Sequence, residues 1–156
     1  MFYRDHVLHE LFGFGKKRKE PWERLNISKE EYDSIVAENN KIVKQLGAEF
    51  SKIKEFKVTE NGEGSIDIEH EELVDLAFNK DETYYNMRNV ISRFESLVDN
   101  VLRSFEKKTK YKCEPQKNKN MYFGLTVYPN PDINSGVTVR VGDYDDSIGY
   151  VSIYTF

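Results

Sequence analysis

The sequence predicts an α+β domain with helices first and a small antiparallel sheet last. Two long stripes of apolar residues recur every three or four positions between residues 28 and 107. After Asn120 the apolar period changes to two within each strand-like run. Ten Phe and ten Tyr give a chain that is 32% charged enough large apolar surface for a core. Two long amphipathic helices and a short N-terminal helix are therefore expected to pack on a C-terminal three-stranded meander, with an extra hairpin near 56–68.

At the start, Tyr3, Val7, Leu8, Leu11 and Phe12 fall at helical spacing before Gly13 and Gly15, and Lys16, Lys17, Arg18 and Lys19 follow as a basic surface. Residues 1–25 form an amphipathic and basic segment. A membrane-surface helix would need cations along the helix itself, whereas Asp5 and Glu10 interrupt this one.

Residues 26–112 read as mainly helical. Ser28 and Glu31 have the spacing of a capping box, with Ile27 and Tyr32 placed to staple the helix start. Tyr32, Ile35, Val36, Ile42, Val43, Leu46, Phe50 and Ile53 continue the stripe, which predicts a helix over 29–54 with Gly47 as its weak point. Phe56, Val58, Ile66 and Ile68 alternate around Asn61-Gly62-Glu63-Gly64, a hairpin whose turn needs positive φ at the glycines. Residues 70–78 suggest two or three helical turns. Tyr84, Met87, Ile91, Phe94, Val98, Val101 and Phe105 predict a long helix over 82–107.

Cys113 to Asn120, with Pro115, reads as a linker, and 120–156 as strands. Met121, Phe123, Leu125 and Val127 alternate with polar or small residues, as do Val137, Val139 and Val141, and Ile148 to Phe156 forms the last strand. Because the chain ends within this sheet, deleting its last residues is expected to unfold the domain. Residues 1–156 show no internal repeat and no domain boundary, and are read as a single domain.

Composition excludes several functions. The one cysteine, Cys113, allows neither an intramolecular disulfide nor a Cys-rich zinc cage. No apolar run reaches the ~20 residues of a membrane span and no signal peptide is evident, so the chain is read as cytoplasmic. Phosphate-loop, nucleophile-elbow and zinc-protease motifs are missing. Lysines around Cys113 would favour a thiolate, but no base accompanies it, and His6, His9 and His70 lack further metal ligands. Asp143, Asp145 and Asp146 read more simply as turn residues than as a cation loop. The sequence therefore calls for no catalytic residue, no metal and no cofactor.

Two surfaces stand out instead. If the apolar strand positions face the helices, Tyr122, Thr126, Tyr128, Arg140, Tyr150 and Tyr154 share the other face, a composition suited to contact with a partner. Glu60, Glu63, Asp67, Glu69, Glu71 and Glu72 form an acidic surface in a segment with few cations, while lysines gather again at 107–119. The expectation is a small non-catalytic protein that masks or modulates another protein, as inhibitors and immunity proteins, including mobile-element-encoded ones, do. The alternative is a nucleic-acid-binding module that stacks bases on the Tyr face and holds phosphates with its lysines. A second alternative is a carboxylate- or metal-dependent enzyme. Oligomeric state is not encoded in any of these features.

Overall fold

The computed structural model describes residues 18–62, 64–71, 73, 83–115, 123–142 and 149–156. The expected helix over 3–12, the acidic turn at 143–146, and residues 72 and 74–78 of the helical turns expected over 70–78 lie outside these residues; His70 ends a strand instead. The protein is an α+β fold. Among the described residues, three helices, α1 (Pro21–Arg24), α2 (Lys29–Ser51) and α3 (Thr83–Lys108), accompany six strands, β1 (Phe56–Glu60), β2 (Ser65–His70), β3 (Glu114–Pro115), β4 (Phe123–Val127), β5 (Val137–Val141) and β6 (Tyr150–Thr155). The chain divides into two compact units, 1–33 and 34–156.

In the first unit, the Glu20 amide donates to the Glu23 carboxylate at the start of α1, and Asn26 takes a left-handed φ of 57° just after it. The side chain of Asn tolerates that region better than most, so the chain can turn sharply there. The Glu31 amide donates to Ser28 Oγ at 3.0 Å, the capping bond that fixes where α2 begins. Tyr32 meets the Trp22 ring, centroids 5.8 Å apart, and the Lys29 ammonium lies 5.8 Å from the centroid of the same indole. The aromatic partner of Tyr32 thus comes from α1.

In the second unit, every strand pairing is antiparallel and the sheet order is β1-β2-β6-β5-β4-β3. Asn61 N–H donates to the Ser65 carbonyl across the β1–β2 turn, where Gly62 and Gly64 have φ of 106° and 78°. L side chains rarely adopt such angles, which accounts for the two glycines. Two features differ from the sequence reading. Within the predicted linker, Glu114 and Pro115 form an edge strand on β4, the kind of position where a proline does not remove a ladder bond. The hairpin also joins the same sheet as the C-terminal strands, because β6 lies between β2 and β5.

One face of the sheet carries Phe56, Ile66, Ile68, Val151, Ile153, Val137, Val139, Val141, Leu125 and Val127. These side chains form one core with Ile42, Val43, Leu46 and Phe50 of α2 and Phe94, Val98, Val101, Leu102 and Phe105 of α3. Burial of this continuous apolar layer is the main stabilising term. The helix runs unbroken through Gly47. A Cβ there would fall 2.5 Å from Ile66 Cδ1, so the glycine lets α2 approach β2 closely. His70 belongs to this core: its ring stands edge-on to Phe56 (5.8 Å, 78°) and Phe94 (5.7 Å, 86°).

A polar thread ties α2 to the sheet end. Buried Asn39 donates to Ser135 Oγ (3.1 Å), which donates to the Phe156 carbonyl (3.0 Å). Satisfying buried polar atoms in this way avoids a desolvation penalty of roughly 1–3 kcal/mol each.

Candidate functional site

Strand alternation sends the remaining side chains to the opposite face, and the register orders them into rows. One row runs Lys57, Glu69, Tyr150. The next runs Thr59, Asp67, Ser152, Arg140, Gly124. The third runs Ser65, Tyr154, Thr138, Thr126, Glu114. Adjacent strands are about 4.8 Å apart, so Arg140 and Asp67, with only Ser152 between them, stand about 10 Å apart.

Arg140, Tyr150, Tyr154, Asp67 and Glu69 are all half-buried. Thr126 is 5% exposed and Thr138 4%, so this central pair is buried, Thr126 included, where the sequence reading had set it on a contact surface. Tyr128 follows β4 and is half-buried, its ring edge-on to Phe156 at 5.7 Å. Tyr122 lies outside the described residues. Of the acidic set, Asp67 and Glu69 share the Tyr-bearing face, Glu60 ends β1 and is exposed, Glu71 follows β2 and is exposed, and Glu63 and Glu72 lie outside. Asn61 Nδ2 donates to Asp67 Oδ2. Of the basic set, Arg18 and Lys19 are exposed in the first unit, and Lys16 and Lys17 lie outside.

Sequence reading separated the acidic surface from the Tyr face, yet the β2–β6 pairing merges part of one into the other. The signal was present in β2 itself. Its Ile66 and Ile68 point inward, so Asp67 and Glu69 must point outward.

A second charged region lies at the end of α3. Glu49, 12% exposed, bonds Lys52 Nζ at 3.0 Å and Lys108 Nζ at 2.9 Å, and accepts from Ser104 Oγ at 3.2 Å. The bond from Lys108, helped by those from Lys52 and Ser104, overcomes desolvation and holds the Glu49 carboxyl down at about 2. Beyond the helix the burial alternates: Lys110 and Lys112 are exposed, Tyr111 and Cys113 buried. Tyr111 stacks on Phe105 at 6.4 Å and 13°, and the Cys113 amide donates to Glu106 Oε2 at 3.0 Å. Burial first, and then the Glu106 carboxylate, push the Cys113 thiol up to about 12, which reverses the thiolate expected from its lysine neighbours.

Among the described residues no group of three or more His, Cys, Asp or Glu is arranged to hold a metal ion, and no helix is long and apolar enough to cross a membrane. No protein-family model, curated protein or solved structure matches the chain.

Proposed function

We propose that this chain is a non-catalytic, cytoplasmic binding protein that engages another protein through the polar face of its sheet and masks or modulates it, in the manner of an inhibitor or immunity protein. The observation that carries this reading is the register that sets Tyr150, Tyr154 and Arg140 beside Asp67 and Glu69 on one half-buried face. Tyrosine and arginine supply contact area with few rotamers to freeze and retain polar handles, and they are enriched at interface hot spots. The neighbouring carboxylates favour a partner with a cationic patch, which would raise the association rate and reject acidic competitors. The burial of Cys113 speaks against a nucleophilic thiol.

Affinity capture of the tagged protein from native, nuclease-treated lysate tests this. A stoichiometric protein should be retained by the wild type and lost by a variant with Arg140→Ala, Tyr150→Ala and Tyr154→Ala whose circular dichroism is unchanged. Absence of any stoichiometric protein, or equal capture by the folded variant, would reject the sheet face as the binding surface.

A further inference from the structure

The lysines at the end of α3 exceed what the helix needs. Cations in a last turn complement the helix dipole, and this accounts for Lys107 and Lys108. It does not account for Lys110 and Lys112, which lie past the helix in the alternating segment and are presented outward because Tyr111 and Cys113 point into the core. The Lys110 ammonium lies 5.4 Å from the centroid of the Tyr111 ring, so the anchor also orients the cation. Lys110 and Lys112 flank the inward-pointing Tyr111. Lys52 joins Lys108 through the shared Glu49 carboxylate, and Lys107, Lys110 and Lys112 are all exposed.

From this arrangement we infer that Lys107, Lys108, Lys110 and Lys112, with Lys52 beside them, form a track that holds the phosphate backbone of a nucleic acid. A protein partner fits poorly, because lysine is depleted from interface cores and this track carries no exposed large apolar anchor; the exposed large hydrophobic residue among those described is Phe156, at 43%. The lack of an apolar anchor equally disfavours insertion into a lipid surface. Point charges without exposed aromatics contact phosphates but do not stack bases, so binding is insensitive to base sequence and driven by counterion release.

The test is fluorescence anisotropy of the full chain with short labelled single-stranded and duplex oligonucleotides of two unrelated sequences, beginning at about 50 mM salt. Both sequences should bind alike, and duplex binding should weaken about a hundredfold between about 50 and 200 mM salt, as four phosphate contacts require. A Lys107→Gln, Lys110→Gln, Lys112→Gln variant should lose at least about tenfold in affinity and flatten the salt slope by about three, while Lys41→Gln with Lys44→Gln on α2 should change little. No binding at low salt would overturn the inference, as would equal binding by the triple variant or an equal loss in the α2 control. Capture by anionic phosphatidylserine vesicles without oligonucleotide binding would replace nucleic acid with a membrane surface.

Discussion

The two faces of β6 differ in almost every physical respect although their residues alternate along one strand. Val151 and Ile153 are wholly buried against the helices, whereas Tyr150, Ser152 and Tyr154 are half-buried on the other side. The inner face is held by apolar area and shape. The outer face gathers hydroxyls, a guanidinium and carboxylates that come from strands distant in sequence. The contrast separates a surface of apolar packing from a surface of polar groups.

The sharpest way to break that contrast is to truncate neighbouring residues of β6. Ile153→Ala should destabilise the fold by about 2–5 kcal/mol, through lost burial and the cavity left behind. Tyr154→Ala should cost under about 1 kcal/mol, the scale of a cross-strand pair. Urea unfolding of both variants measures the difference. Equal losses would mean that the outer face is packed as tightly as the core and is no contact surface.

A smaller effect probes how closely the helix layer approaches. Gly47→Ala gains about 1 kcal/mol of helix propensity but drives a methyl into Ile66, and overpacking typically costs about 1–3 kcal/mol. A lowered melting temperature is expected. A raised one would show that Ile66 can swing aside.

The smallest effect concerns the ion pairs that join α2 to α3. The Glu49 carboxyl is depressed from its ordinary 4.5 to about 2, so its stabilisation is full above pH 4.5 and is lost as the pH falls toward 2. After discounting for the exposed lysines, Glu49→Gln should cost roughly 1 kcal/mol at neutral pH and make acid unfolding shallower over that window. An unchanged acid limb would show that Lys52 and Lys108 merely decorate the helix ends.

Much of the fold class was legible because it depends on local period. The Ser28–Glu31 spacing placed the start of α2, the spacing of Phe94, Val98, Val101 and Phe105 marked α3, and the glycines of the β1–β2 turn take the positive φ that their neighbours implied. What failed to show was the order of strands. Glu114 and Pro115 form too short a strand to have a period, and Pro115 argued against one. Nothing local announces that Ile66 and Ile68 sit beside Ile153 and Val151, since that choice is made by the whole core. The candidate site divided along the same line: Tyr150 and Tyr154 were readable from alternation within one strand, whereas their meeting with Asp67 and Glu69 required the long-range pairing.

That pairing also governs how the sheet is assembled. β6 joins β2 to β5, so Ser65 must wait for Tyr154 and Glu69 for Tyr150, partners more than eighty residues later in the chain. Such contacts close a long loop before they return any stabilisation, which slows folding. Until β6 arrives, the β1–β2 hairpin and the β4–β5 pair each present an open apolar edge, and these edges invite pairing between chains. Aggregation during refolding should therefore rise with protein concentration and fall when β6 is made to form early.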